Sequence, residues 1–128
     1  CAAVALDARR ILVVGGYNGA SELSSTEILS LDTMAFAPGP AMAAPRIGCA
    51  VVALDEHRIL VAGGQSSLRQ SLTTTEVLDV RTMAFSPGPS MGSARSFFAA
   101  VPVDAQHILV IGGRDAVATT ELLDVATM

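Results

Sequence analysis

Arg10-Ile11-Leu12-Val13-Val14-Gly15-Gly16 is the stretch that decides the fold, because the chain repeats it twice. The copies are Arg58-Ile59-Leu60-Val61-Ala62-Gly63-Gly64 and His107-Ile108-Leu109-Val110-Ile111-Gly112-Gly113. The glycine pairs therefore lie 48 and then 49 residues apart. Self-similarity at a fixed period of this size is the signature of a repeat architecture, in which each copy is one structural unit.

Two further blocks recur at the same period. Thr26-Glu27-Ile28-Leu29 returns as Thr75-Glu76-Val77-Leu78 and as Thr120-Glu121-Leu122-Leu123. A longer block, Thr33-Met34-Ala35-Phe36-Ala37-Pro38-Gly39-Pro40-Ala41-Met42, returns as Thr82-Met83-Ala84-Phe85-Ser86-Pro87-Gly88-Pro89-Ser90-Met91, and Thr127-Met128 begin a third copy. The chain thus holds two full repeats and one incomplete repeat.

Each repeat predicts four short strands, as the second copy illustrates. Residues 49–54 are almost all apolar, which is typical of a strand covered on both faces. A polar turn at 55–58 leads to a branched strand at 59–62, which ends at glycines that permit positive φ or close backbone approach. Residues 74–80 alternate polar with apolar, as a half-exposed strand does. Residues 84–86 form a short last strand, because the prolines that follow cannot donate to a ladder.

The repeat resembles the kelch repeat, whose period of about 50 residues is the one seen here. In that family a branched strand ends in Gly-Gly, then a Glu-containing strand carries an aromatic residue, and a tryptophan strand follows. Matching doublets are present in all three copies: Gly15-Gly16, Gly63-Gly64 and Gly112-Gly113. Phe36 and Phe85 stand where the family usually has Trp, and the replacements stay apolar. Leu29, Leu78 and Leu123 stand where it usually has Tyr.

The resemblance implies an all-β fold, a kelch-type β-propeller segment of about three four-stranded antiparallel blades with the last one incomplete. The predicted blades cover residues 1–45, 46–94 and 95–128. Closed propellers need about four to eight blades, and an open one exposes apolar surface and unpaired strand groups. We therefore expect this segment to belong to a longer propeller or to pair with another protein.

Composition excludes several partner classes. The eight basic residues are all arginines scattered along the chain, and twelve acidic residues give a net charge of −4. Nucleic-acid binding usually needs a clustered basic stripe, and the apolar runs are too short for membrane insertion, so neither partner is expected. The two cysteines are too few for a disulfide-built secreted domain and favour a reducing, intracellular compartment. Cys49 lies in an apolar stretch and is interpreted as a buried thiol.

No nucleophile, base and orienting acid converge in the sequence, so no enzymatic activity, cofactor or metal is expected. His57 and His107 occupy equivalent turns in different blades, where solvated turn residues are favoured over metal ligands. The repeated glutamates Glu27, Glu76 and Glu121 are interpreted as acceptors for backbone donors or for donors of a neighbouring blade.

Loops on one propeller face are the candidates for binding, because their lengths vary between copies while the strands do not. The candidate binding residues lie in these loops or where a blade begins: Tyr17, Asn18, Arg46, Arg69, Arg95 and Arg114. Arg46 and Arg95 match the arginine that often opens the innermost kelch strand. The resemblance implies that they pair with an acidic peptide. The alternative is that they tie adjacent blades together, since an interior arginine must pair somewhere.

Three functions remain open. The first is a protein-binding scaffold that uses the loop face. The second is a structural subunit or fragment, docked in a larger assembly through its open edges. The third is part of a propeller enzyme whose catalytic residues lie elsewhere, as in the copper-radical sugar oxidases that contain kelch repeats.

Overall fold

Three antiparallel sheets make up the computed structural model, which describes residues 2–66, 70–114 and 119–125. Blade 1 contains β1 (Ala2–Ala5), β2 (Arg10–Val14), β3 (Thr26–Ser30) and β4 (Ala35–Pro38). Blade 2 contains β5 (Ala50–Ala53), β6 (Arg58–Ala62), β7 (Thr75–Asp79) and β8 (Ala84–Pro87). Blade 3 contains β9 (Ala99–Pro102), β10 (His107–Ile111) and β11 (Thr120–Asp124). The all-β class and the incomplete third blade are confirmed.

Consecutive strands pair within each blade, and an aspartate shapes the turn between the first two. The Arg9 N–H donates to Asp7 Oδ1 at 2.8 Å, and Asp55 and Asp104 accept the same bond in the other copies. Such bonds from a backbone N–H two residues on are the reason aspartate favours turns. The fourth strands of blades 1 and 2 end at Pro38 and Pro87. In blade 2 the strand is therefore one residue longer than the predicted residues 84–86. An edge strand tolerates proline, since the missing N–H would face away from the ladder.

Alternate side chains of a blade face opposite neighbours and form two buried cores. In blade 2, Ile59, Val61 and Leu78 pack against blade 1, while Leu60 and Val77 pack against blade 3. All five have at most 7% of their surface exposed. The blades therefore associate face to face, through the side chains that the period-2 alternation of each strand presents.

The first strands lie side by side, with β5 against β1 on one flank and β9 on the other. The prediction that this strand is covered on both faces is wrong in part. In β5 only Val52 is buried and Ala53 is exposed, whereas the last four residues of β6 are all buried. The reason is that β6 has a strand on each side within its sheet and a blade on each face, while β5 has β6 alone as an in-sheet partner. None of the described residues forms a helix long and apolar enough to cross a membrane.

Candidate functional site

Two kinds of segment meet at one end of the blades, which we call the loop face. The first kind follows the second strand of each blade, at residues 15–25, 63–66 with 70–74, and 112–114. The second kind joins one blade to the next, at residues 39–49 and 88–98, and we call these the inter-blade segments. The Gly16 N–H donates to the Arg46 carbonyl at 2.9 Å, and the Gly64 N–H to the Arg95 carbonyl at 2.8 Å. The loops of blades 1 and 2 are thereby fixed to the segments that lead into the next blades.

Arg46 is buried at the junction of blades 1 and 2, with 1% of its surface exposed. Its Nε and Nη2 donate to Glu76 Oε2 at 3.1 and 3.0 Å. Its Nη1 donates to the carbonyls of Gly63 and Thr74 at 2.8 and 3.0 Å. The Arg46 N–H donates to the Leu23 carbonyl of blade 1 at 3.0 Å. The arginine is therefore held by blade 1 through its backbone and by blade 2 through its side chain.

Arg95 repeats this arrangement between blades 2 and 3, with no exposed surface. Its Nε and Nη2 lie 3.1 and 3.0 Å from Glu121 Oε2. Its Nη1 donates to the carbonyls of Gly112 and Thr119 at 2.7 and 3.0 Å, and its N–H donates to the Leu72 carbonyl of blade 2 at 3.1 Å. Both junctions thus use one arginine in one geometry.

The two glutamates also accept hydrogen bonds from the inter-blade backbone. Glu76 Oε1 accepts the Ala43 N–H at 2.7 Å, and Glu121 accepts the N–H groups of Gly92 and Ser93. Burial acts to raise the pKa of Glu121, but the Gly92 N–H, the Arg95 side chain and the Ser93 N–H together lower the pKa below its ordinary value. We call each set of arginine, glutamate and backbone donors an inter-blade clamp.

These contacts decide where Arg46 and Arg95 act. Both guanidinium groups are buried and hydrogen-bonded to internal partners, so neither is accessible to an acidic peptide at the loop face. The contacts are those of the alternative weighed from the sequence, in which the arginines tie adjacent blades together. Glu27, the equivalent glutamate of blade 1, is exposed.

The glycine doublets hold the backbone close to the clamps. Gly63 has φ +60° and Gly64 φ +95°, in the left-handed region that side chains rarely adopt. A Cβ on Gly63 would lie 2.5 Å from the Arg95 carbonyl oxygen. Gly15-Gly16 and Gly112-Gly113 have the same positive φ values within about 15°. Outside the doublets, Phe85 is half-buried beside the core of blades 1 and 2, and Phe36 is 58% exposed.

A hollow of about 260 Å³ opens on the loop face, and side chains of all three repeats line it. The lining residues are Tyr17, Glu22, Ile47, Gln65, Phe97 and Arg114. Three of them directly follow a glycine doublet, namely Tyr17, Gln65 and Arg114. Equivalent backbone positions therefore bring a phenol, an amide and a guanidinium to one place. Tyr17 and Phe97 are 51% and 55% exposed, and Arg114 is exposed as well.

Four residues of the hollow were not among the candidates from the sequence, namely Glu22, Ile47, Gln65 and Phe97, and Phe97 is the largest of them. It has φ +53°, and the previous repeat has glycine at this position, Gly48 with φ +69°. The Phe97 N–H donates to the Gly48 carbonyl at 2.8 Å, and a Cβ on Gly48 would lie 2.8 Å from carbons of the Phe97 ring. The Arg114 Cζ lies 5.7 Å from the centre of the same ring, within cation–π range. Aligning the repeats could have found Phe97, because a large aromatic stands where a left-handed glycine is expected.

The remaining predicted binding residues fall in different places. Asn18 is exposed, and its Oδ1 accepts the N–H groups of Ala20 and Ser21 at 2.9 Å, so its side chain shapes its own loop. Arg69 lies outside the described residues.

Other polar groups lie at the opposite end, in the turns between first and second strands. The His107 Nδ1 lies 2.9 Å from Asp104 Oδ1, and Arg58 pairs with Asp55 in the equivalent turn. Two larger hollows are also present. One of about 550 Å³ lies beside the turn between the first two strands of blade 1, and one of about 450 Å³ lies beside the Arg46 clamp. Among the described residues, no group of three or more His, Cys, Asp or Glu side chains could hold a metal ion.

Four-stranded antiparallel sheets packed face to face, with their first strands adjacent, define a segment of a β-propeller. The Kelch motif family model matches residues 1–43 and 45–92, and the chain therefore belongs to the kelch-repeat family. A comparison with curated proteins finds no match. Blade 3 lies beyond the matched residues, but it repeats the doublet, the glutamate and the clamp of blade 2.

Proposed function

We propose that this kelch segment binds another protein through the loop-face hollow. The observation that supports this is the convergence of Tyr17, Phe97 and Arg114 from three repeats around one concave surface. Aromatic and arginine side chains are enriched where proteins bind each other, and they often dominate the binding free energy. Variable residues on a fixed scaffold are also where recognition usually resides.

The chemistry of the hollow favours a short partner segment with one apolar and one acidic side chain. The Phe97 ring offers an exposed apolar surface, and the Arg114 guanidinium beside it offers donors for a carboxylate. Glu22 also lines the hollow and contributes a carboxylate, which disfavours a partner with several acidic groups. These groups stack, donate and accept, so the role that we propose is recognition and not catalysis.

The backbone of Phe97 supports the same proposal. A non-glycine residue in the left-handed region costs on the order of 1–2 kcal/mol, and such strain concentrates at functional sites. Phe97 pays this strain while more than half of its surface stays exposed, so its ring does not gain the burial that a core position would give. A binding partner that covers the ring would supply that burial.

Selection of peptides from a displayed library on the immobilised protein tests the proposal. We expect the selected peptides to lose roughly tenfold or more in affinity for Phe97→Gly and for Arg114→Ala, as hot-spot residues do. The matched control is His57→Ala, which changes an exposed turn residue at the other end of the blades. Peptides that bind all three variants equally, or that lose affinity only for His57→Ala, would show that the loop-face hollow is not the binding site.

A further inference from the structure

Gln65 is the most buried of the described residues that line the loop-face hollow. It follows the glycine doublet of blade 2, so it holds the middle of three equivalent positions, between Tyr17 of blade 1 and Arg114 of blade 3. Tyr17 is 51% exposed and Arg114 is exposed, whereas Gln65 is 8% exposed. The Gln65 N–H donates to the Ile47 carbonyl at 2.7 Å, and the Gln65 carbonyl accepts the Ile47 N–H at 3.1 Å. The backbone that carries this side chain is therefore fixed to the inter-blade segment.

The side-chain amide of Gln65 has no hydrogen-bond partner within the described part of the chain. No side-chain nitrogen or oxygen of the described residues is both fully buried and unpaired, so the amide keeps accessible surface. Because Gln65 lines the hollow, that surface faces it. In the free protein, water binds the amide there. A partner that enters the hollow displaces this water, so it must offer hydrogen bonds of its own to avoid leaving the amide unpaired.

A primary amide is the partner group that matches Gln65. The Gln65 side chain offers an acceptor, Oε1, and the donors of Nε2. A carboxylate only accepts, so it would leave Oε1 unpaired. An ammonium group only donates, and it would also lie near the Arg114 guanidinium. One trans peptide group points its N–H and its C=O in opposite directions, so it does not reach both atoms. The side-chain amide of asparagine or glutamine presents a donor and an acceptor on one edge.

The volume of the hollow limits what can enter it. At about 260 Å³ it lies below the range of about 300–1,000 Å³ that is typical of small-molecule sites, so it suits a single side chain. We propose, on the basis of the protein-binding function above, that the hollow takes one asparagine or glutamine side chain of the partner segment. The carbonyl of that side chain accepts from Gln65 Nε2, and its NH₂ group donates to Gln65 Oε1. The acidic side chain of the same segment pairs with Arg114, and the apolar one covers Phe97.

Peptides selected on the immobilised protein provide the test, because the peptide can be changed as well as the protein. We expect the tightest binders to share an asparagine or glutamine near an apolar and an acidic residue. Gln65→Met keeps the length of the side chain and removes both polar atoms, so it should lower the affinity roughly tenfold. Replacing the shared amide residue of the peptide by alanine should cost a similar factor. Combining the two changes should cost little more than either alone, because both remove the same pair of hydrogen bonds.

The matched control is Gln106→Met, which changes an exposed glutamine in a turn at the opposite end of blade 3 and should leave the affinity unchanged. The peptide variants test the same contact on the unsubstituted protein. If Phe97→Gly and Arg114→Ala weaken binding but Gln65→Met does not, the hollow binds a partner and the amide contact is refuted. If Gln65→Met weakens binding but the peptide alanine does not, Gln65 contacts the main chain, which also overturns the proposal. Peptides that bind all three variants as tightly as the unsubstituted protein would instead refute the binding function itself.

Discussion

Replacing Arg46 by leucine isolates the contribution of an inter-blade clamp to stability. The variant keeps an apolar stem but removes the guanidinium. Among the described residues, the Ala43 N–H is then the one donor that the buried Glu76 carboxylate retains. The carbonyls of Gly63 and Thr74 lose their donor at the same time. Removing one partner of a buried ion pair costs about 3–5 kcal/mol. Since a domain of this size is stable by about 5–15 kcal/mol, Arg46→Leu should remove a large part of that stability.

The second clamp provides a graded comparison for the same substitution. The Glu121 side chain is 23% exposed, whereas that of Glu76 is 5% exposed, and Glu121 also keeps two backbone donors. Water and these donors compensate part of the loss, so we expect Arg95→Leu to cost roughly 1.5–3 kcal/mol, the range for hydrogen bonds to charged groups. The order of the two variants follows from the burial of the glutamate that each leaves behind.

Equilibrium unfolding in urea, followed by far-UV circular dichroism, measures both variants. An unchanged dependence on urea concentration would show that the folded and unfolded states keep their compactness. The double variant Arg46→Leu with Glu76→Leu removes both charges and should be more stable than Arg46→Leu alone. If Arg46→Leu loses less than about 1 kcal/mol, the pair behaves like a surface ion pair. That result would refute the reasoning that the buried Arg46–Glu76 pair stabilises the junction of blades 1 and 2.

Three further predictions concern other parts of the chain. Gly48→Ala should lower the free energy of unfolding by about 1–2 kcal/mol, because φ is +69° there. Part of that loss should be recovered when Gly48→Ala is combined with Phe97→Gly, because the second substitution removes the ring that the new Cβ would meet. Urea unfolding of the two single variants and the double variant measures this. Burial raises the pKa of the Cys49 thiol, so iodoacetamide should label it slowly in the folded protein and rapidly in urea, as peptide mass spectrometry can measure. The pKa values of Glu121 and Asp104 are lower in the folded protein than in the unfolded chain, so both carboxylates stabilise the fold at a pH above their unfolded pKa. The urea midpoint should therefore fall as the pH drops below ~4. Glu121→Gln should make the urea midpoint less dependent on pH.

The fold was predictable from the sequence because three blocks recur at one period. Each recurrence demands the same strands. The prediction that the third strand is half-exposed is wrong for blade 2, because neighbouring blades cover both of its faces and Thr75, Glu76, Val77 and Leu78 are all buried. The burial of the first strand was not predictable to the same degree. An apolar composition does not distinguish a strand inside a sheet from one at its inner edge, and β5 has an in-sheet neighbour on one side alone.

The clamps were harder to predict than the strands. Arg46 and Glu76 are 30 residues apart, and the sequence alone allows the guanidinium to point into the channel or into the junction. Their common period was the available signal, because Arg95 and Glu121 recur with them. Phe97 was missed for a different reason. Comparison of repeats draws attention to positions that agree, and Phe97 differs from its counterpart Gly48.

The residues that follow the doublets connect these two observations. Tyr17, Gln65 and Arg114 share one backbone setting, because each directly follows two glycines with positive φ. Inter-blade hydrogen bonds from Gly16 and Gly64 also hold the chain just before the first two of them. The three side chains differ in size, polarity and charge, although they occupy the same position in each repeat. The arginine and glutamate positions of the clamps carry the same residues in both junctions, because substituting one partner of a buried ion pair destabilises the fold. A side chain that projects from a backbone fixed by its neighbours can instead change without loss of the fold, and this is why we place recognition where the repeats disagree.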